Sequence, residues 1–463
     1  MSAPVYDVAV IGAGVVGAAI ARDLAGTASS VVMIDGRDDV GEGTTKANTA
    51  ILHTGYDATP GTLEARLVAR GYEILTEYCS AANIGLRRTG AILVAWDEEQ
   101  ADSLPGLQAK AVANGYHETT LISAEQVYAQ LPSLGPGVTG GLTVPGESVI
   151  DAWSVPLALA TEAVERGARF LREHRVTGIE PGERTTTIRT DRGDVTARWV
   201  VNAAGLGADA IDAMLGHDRL EVHPRKGELL VYDKLAAGLV DRIVLAAPSK
   251  AGKGVLISPT IFGNVMLGPT AEDLEDKSDT STSEDGFEFL LEKGRNIMPV
   301  LLEEEVTASY AGLRAASNQG DYLIDVDVPQ RYVVAGAIRS TGLTSAPAVA
   351  EYIRELLAET DLDVTMRANL PAPPVMPPLG EHQVRPHGDD AAITEDSAYG
   401  EVVCFCERVT RGEIRDAMRS TIPPNSIQGL RRRTRAMNGR CQAFYCGARV
   451  KQLFDSYQEQ GHE

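Results

Sequence analysis

Unbroken apolar runs alternate along this chain with stretches of helical periodicity, and that alternation sets the reading. Val8-Ala9-Val10-Ile11 is continuous in the way a strand is when both faces of its sheet are covered. Ala18-Ala19-Ile20-Ala21-Arg22-Asp23-Leu24 continues as a helix, and Val31-Val32-Met33-Ile34 forms a second buried strand ending at Asp35. Strand, helix and strand at this spacing predict the α/β class with a Rossmann-like sheet. Residues 85–98 and 220–268 differ. They are strand-rich, with 227–232 and 263–268 as hairpin material, and predict an inserted mixed or antiparallel sheet that carries a substrate site.

Near Leu370 the texture changes. Pro371-Ala372-Pro373-Pro374-Val375-Met376-Pro377-Pro378 and the polar stretch through Tyr399 read as extended, semi-rigid linker. A small α-rich unit follows, its helix clearest over Thr410 to Met418, and a unit of about 60 residues needs a metal or another staple. The expected division is a discontinuous nucleotide-binding domain (1–84, 145–219 and 325–368), an inserted substrate domain (85–144 and 220–324), a linker (369–399) and the C-terminal unit (400–463).

Composition narrows the function classes. With 463 residues the chain exceeds one compact core, and 44% apolar with 23% charged side chains is ordinary for a globular enzyme. The 43 basic and 64 acidic side chains leave a formal charge of −21, which disfavours nucleic acid and anionic membrane as partners. No apolar run is long enough to span a bilayer and no signal peptide precedes Tyr6, so the expectation is a cytoplasmic protein, at most peripheral at the inner face of the cell membrane through a partner. The local exception is Arg431-Arg432-Arg433-Thr434-Arg435, with Arg440 behind it. It reads as a solvated face, a basic surround for an anionic cluster, or a docking patch for an acidic electron partner.

Gly12-Ala13-Gly14-Val15-Val16-Gly17 follows the first strand and opens the first helix. In that context Gly12 makes the tight turn, Gly14 lets a pyrophosphate approach the backbone, and Gly17 lets helix and strand pack closely. The helix start offers N–H groups to phosphate, and Asp35 can accept from a ribose hydroxyl. This fingerprint alone does not separate NAD from FAD. Of five cysteines, four lie within positions 404 to 446 as Cys404-x-Cys406 and Cys441-x4-Cys446. Clustering of this kind points to soft-metal ligation by iron or zinc, and Cys79 reads as a buried structural thiol.

Further segments carry a family resemblance. Trp199-Val200-Val201-Asn202-Ala203-Ala204-Gly205 and Tyr332 through Pro347 resemble the later flavin motifs of the D-amino-acid oxidase-like FAD enzymes. Gly43 through Tyr56 and Pro60 through Leu67 resemble segments of the FAD-dependent glycerol-3-phosphate dehydrogenases, with L-2-hydroxyglutarate dehydrogenases nearby. The resemblance implies FAD held by Gly12, Gly14, Gly17, Asp35, Thr45, Asn48, Thr49, Ala204, Gly205, Gly312, Thr341, Gly342, Leu343 and Thr344. It implies His53 as the base for a hydroxyl proton, and Arg314 and Lys253 as cations for a small anionic substrate. Lys226 is a weaker candidate of the same kind. Arg339 departs from the family's neutral or acidic residue before the Ser-x-Gly turn, and either selects a more highly charged substrate or pairs with a local acid.

The C-terminal unit resembles the bacterioferritin-associated-ferredoxin-like [2Fe–2S] domain, which implies Cys404, Cys406, Cys441 and Cys446 as ligands. Zinc is the alternative that spacing leaves open. The expected activity is oxidation of glycerol 3-phosphate or a similar polyol phosphate by hydride transfer to flavin, with electrons passed through [2Fe–2S] to an acceptor protein or quinone. Further subunits or a homo-oligomer are compatible with that role. A 2-hydroxyglutarate-type hydroxy-acid dehydrogenase and a hydroxyproline-type amine or imino-acid dehydrogenase are the competing readings.

Overall fold

A computed structural model describes residues 4–248 and 254–460. Its first sheet grows from the runs that open the chain. Strand β1 (Val5–Ile11) leads through a glycine turn into α1 (Val15–Ala25) and on to β2 (Val31–Ile34). Helix α2 (Leu63–Ala81) is capped by Thr62, whose hydroxyl accepts from the Ala65 N–H, and it buries Cys79. Strand β3 (Arg169–Leu171) and strand β4 (Val195–Asn202) complete a parallel core in the order β3-β2-β1-β4. The strands at 176–181 and 186–190 extend it as an antiparallel meander.

The unbroken apolar runs are explained by what covers them. Val8 and Val10 face a core shared with α1 and the helix Ser154–Glu165, while Ala9 and Ile11 face a second core on the other side. Alternate residues of a strand point to opposite faces, so a sheet covered on both needs apolar residues at every position.

The second sheet has nine strands among the described residues. Its spine is β5 (Val222–Tyr232) paired antiparallel along its length with β6 (Val306–Ser317). The two segments read as hairpin material are neighbours here, with Leu230 opposite Leu267. The sheet is mixed, because residues 243–246 run parallel to 91–95 while the other pairings are antiparallel. The chain then returns to the first sheet with β7 (Tyr332–Gly336), parallel to β4, and α3 (Gly342–Leu357).

Beyond α3 the proline-dense segment is extended but docked. Met376 and Leu379 are buried, and the Met376 N–H donates to the Ala82 carbonyl at 2.8 Å. The last unit holds α4 (Arg411–Met418), α5 (Ile427–Thr434) and α6 (Gly447–Gln460) around Val403, Val409, Ile414, Leu430, Val450 and Phe454. A capping box fixes the start of α4, with Thr410 and Glu413 each satisfying the other's backbone N–H.

The arginine run is not a solvated face. Arg433 is buried and grips Asp39, in the loop after β2, with both nitrogens of its fork, at 2.5 and 2.7 Å. Arg432 adds a bond to Asp39 at 3.1 Å and pairs with Glu42. Arg435 is buried against Glu407 at 2.9 Å, with its guanidinium 4.1 Å above the Phe262 ring. Among the described residues no helix is long and apolar enough to cross a membrane.

Candidate active site and cysteine centre

A cavity of about 780 Å³ opens between the two sheets, and its walls are mostly backbone and small residues. Gly12, Gly14, Asp35, Thr45, Asn48, Thr49, Ala204, Gly205, Gly312, Arg314, Gly342 and Leu343 all line it. The glycines divide by what a side chain would meet. A Cβ at Gly12, where φ is +109°, would lie 2.4 Å from the Ala203 carbonyl oxygen, and one at Gly17 would lie 1.9 Å from the Gly12 oxygen. At Gly14 it would meet only the Thr45 hydroxyl, at 3.3 Å. So Gly12 and Gly17 keep the turn closed, while Gly14 leaves bare backbone facing the cavity at the start of α1.

Asp35 stands at the end of β2 and accepts from the Ala13 and Arg37 N–H groups at 2.6 and 2.8 Å. Burial holds its carboxyl above the ordinary value although those donors pull the other way. The loop of Thr45, Asn48 and Thr49 closes over the start of α1, the Val15 N–H donating to the Thr45 hydroxyl at 3.1 Å. From the other sheet Gly312 presses on this loop, since a Cβ there would be 2.1 Å from the Ala47 oxygen. Asn202, fully buried, accepts from the Ala204 N–H at 3.2 Å and so shapes the Ala204–Gly205 turn. Bare glycine backbone, a helix start and a strand-end carboxylate in one elongated cavity fit an adenine dinucleotide such as FAD.

Gly17, Thr341, Thr344 and His53 are not among the lining residues. Thr341 instead bonds Glu64 at 2.7 Å, and Arg339, which does line the cavity, pairs with the same carboxylate at 3.0 Å. Of the two readings for Arg339, the structure contains the local acid. The Thr344 hydroxyl accepts from the His53 N–H at 3.1 Å and ties α3 to the segment after residues 51–52.

His53 has a partner that sequence reasoning missed. Strand residues 51–52 pair antiparallel with 148–150, with Ile51 opposite Val149 and Leu52 opposite Ser148. Carried one step on, that register puts His53 opposite Glu147, and the ring Nδ1 lies 3.0 Å from the Glu147 carboxylate. Glu147 is buried, and its other oxygen accepts from the Thr54 N–H and hydroxyl at 2.7 and 2.9 Å. The one local signal was an acid placed between Gly146 and the apolar strand that follows.

Arg314 reaches the cavity from β6. Its fork donates to the Thr270 carbonyl at 3.0 Å, and no carboxylate forms an ion pair with it among the described residues. Burial, then the nearby Arg225, push its pKa down and outweigh the opposing pull of Asp273. Gly227 makes its room, because a Cβ there would lie 2.4 Å from an Arg314 nitrogen. Lys226 differs, being buried among Glu272, Glu228 and Asp279 at 3.3 to 3.7 Å. Lys253 lies outside the described residues.

The four cysteines meet as two facing pairs. Cys406 and Cys441 act on each other's titration, as do Cys404 and Cys446. Burial, then Cys404, push the Cys446 thiol up to about 12. The Tyr445, Ala443 and Phe444 N–H groups hold Cys441 below its ordinary value. Left-handed backbone at Arg408, Met437, Gln442 and Ala443 bends the loops that bring the sulfurs together. Paired thiols backed by N–H donors have the chemistry of a thiolate-ligated iron–sulfur site, for which all four would be ligands, while among the described residues no group of three Cys, His, Asp or Glu is already arranged to hold a metal ion. Cys79 is separate and buried in α2, and burial raises its thiol to about 12.

Comparison with known proteins adds names to this geometry. A family model described as "FAD dependent oxidoreductase" matches residues 7–356, and one described as "BFD-like [2Fe-2S] binding domain" matches 402–456. A glycerol 3-phosphate dehydrogenase from Caloramator mitchellensis is 34% identical, over 97% of this chain and 93% of that protein. One of the subunits of the anaerobic glycerol-3-phosphate dehydrogenase of Escherichia coli (strain K12) is 28% identical, over 97% of this chain and 88% of its own length. Among solved structures, an L-alpha-glycerophosphate oxidase from Mycoplasma pneumoniae with FAD bound is 26% identical with a TM-score of 0.76. That match covers 81% of this chain and 100% of the oxidase.

Proposed function

The chain belongs to the FAD dependent oxidoreductases and bears a BFD-like [2Fe-2S] binding domain, and from that premise we propose a dehydrogenase for glycerol 3-phosphate or a similar polyol phosphate that passes its electrons through the cluster to an acceptor protein or quinone. The observation that carries the substrate class is Arg314, a cation in the cavity wall with no acid to pair with among the described residues. A planar fork in that position suits a phosphate or carboxylate gripped by two bonds. Lys253 is the proposed second cation. The 34%-identical relative is named for glycerol 3-phosphate, which favours phosphate over carboxylate.

FAD, when bound, supplies acceptance of the hydride and the cluster supplies one-electron exit. His53 is proposed to take the hydroxyl proton. With its Nδ1 proton directed at Glu147, a neutral ring carries its lone pair on Nε2, the nitrogen suited to act as base. Support for electron exit through the C-terminal unit comes from coverage. Both glycerol 3-phosphate dehydrogenases compared above align with 97% of the chain, a span that includes the C-terminal unit.

The test is anaerobic addition of glycerol 3-phosphate to the reconstituted protein while flavin absorbance is followed. Rapid bleaching by glycerol 3-phosphate, with none by glycerol and little by 2-hydroxyglutarate, is the expected result. Bleaching by 2-hydroxyglutarate alone would replace phosphate with carboxylate. No bleaching by either would discard the substrate class.

A further inference from the structure

The loops that hold the cysteines carry more than ligation requires. Phe405 stands between Cys404 and Cys406, and Phe444 and Tyr445 stand just before Cys446. Their side chains are 73%, 84% and 78% exposed, and among the described residues the next most exposed aromatics, Phe289 and Phe287, reach only 42% and 38%. Phe444 and Tyr445 meet edge to face with centroids 5.1 Å apart, so the pair is held as one preformed knob. Thiolate ligation needs none of the three, and folding buries none of them. A cluster of bare aromatics is the composition of an interface core, and solvent exposure of that much ring surface is otherwise unfavourable.

The C-terminal unit, although Arg432, Arg433 and Arg435 pair with Asp39, Glu42 and Glu407, has a formal charge opposite in sign to the rest of the chain. Residues 400–463 hold 11 Lys and Arg against 7 Asp and Glu, while the whole chain holds 43 against 64. Arg408 and Arg440 sit within the cysteine loops, and Arg449 and Lys451 follow Cys446. Each is about half exposed or more, and each is steadied by an acid, Glu381, Asp233, Glu401 and Asp455 in turn. An acidic protein approaching this molecule is repelled by the body and drawn to this one end.

We propose that Phe405, Phe444 and Tyr445 anchor a docking surface for an electron-accepting protein whose contact face is apolar and rimmed by carboxylates. The proposal rests on the exit of electrons through the cluster argued above. It adds that a protein receives them, because anchors flanked by arginine complement an acidic protein face. The relative named as one subunit of its dehydrogenase is consistent with a partner at this place. Oxidation of one substrate alcohol to its ketone releases two electrons and two protons, so two one-electron acceptors are reduced for each substrate consumed.

The test uses the full chain with both cofactors, reduced by substrate. An acidic blue-copper protein (a plastocyanin) and the basic cytochrome c serve as one-electron probes, and a small dye reports delivery that needs no docking. The plastocyanin copper is expected to be reduced at least about tenfold faster than cytochrome c at low salt, with the advantage shrinking as salt is raised. Phe444→Ser with Tyr445→Ser, and Phe405→Ser separately, are expected to slow plastocyanin about tenfold or more relative to the small dye, with the iron–sulfur absorbance retained. Faster reduction of cytochrome c, or an unchanged plastocyanin rate in the aromatic variants, overturns the docking surface. Cys441→Ser separates the two levels of argument. If it still reduces plastocyanin at the original rate, exit through the cluster is wrong, whereas loss there with no effect of the aromatic variants defeats the docking surface alone.

Discussion

The flavin body and the cysteine unit solve the holding of a redox group in opposite ways. The body does it by absence of side chains, with Gly12, Gly14, Gly17 and Gly312 clearing backbone for a cavity between two large sheets. The unit does it by presence, with four thiols pushed into facing pairs by short loops on a small core. A large body supplies its own rigidity through two covered sheet faces. The unit has far less to bury, and it is held to the body by ion pairs of Arg433 with Asp39, Glu407 with Lys234 and Arg440 with Asp233. It follows that the two sites fail separately, and each can be broken without the other.

The largest effect belongs to the body. His53→Asn is expected to slow flavin bleaching by substrate about 10²–10⁴-fold with FAD content and the cysteine unit intact, measured by stopped flow. A rate within a few fold of the original would remove His53 from the chemistry. Next comes the junction. Arg433→Ala leaves Asp39 buried without its fork, and the loss expected is about 3–5 kcal/mol of docking stability. Protease cleavage within residues 369–399 should then appear while substrate still bleaches the flavin. Unchanged resistance to protease would mean that the clamp is incidental.

Smaller is the effect of Glu147→Gln, which keeps the shape but removes the charge behind His53. A charge-assisted hydrogen bond is worth about 1.5–3 kcal/mol, so kcat is expected to fall roughly tenfold or somewhat more with KM little changed. A change in KM alone would place Glu147 in binding. The smallest effect comes from acid. Burial alone would raise the Asp39 carboxyl, but Arg433 and Arg432 outweigh it and hold it below its ordinary value of 3.8. Its contribution is therefore full above that value and is lost only as pH falls through the lower folded one. Docking of the unit, followed by protease resistance, should survive mild acid and fail only below about pH 4. Release near pH 6 would show that another group controls the junction.

Legibility followed sequence distance. The parallel sheet, the fingerprint and the strand character of 227–232 and 263–268 could be anticipated because period and spacing are local. The arginine run could not, since nothing near residue 433 announces a carboxylate 394 positions away. Glu147 was overlooked for the same reason, lying 94 positions from His53 and joined to it by strand register alone. Arg339 was noticed as a departure, yet its partner Glu64 is 275 positions removed.

Chain order was enough to specify where glycine must stand and where the apolar runs require cover on both faces. Each follows from bond geometry or periodicity over a few residues. Which charge meets which was settled in three dimensions. Folding turned Arg433 from a surface residue into a buried clamp, gave His53 its carboxylate, and left Arg314 with no carboxylate ion pair among the described residues. A charge is stabilised by whatever the fold brings within a few ångströms, and the order of residues along the chain does not carry that distance.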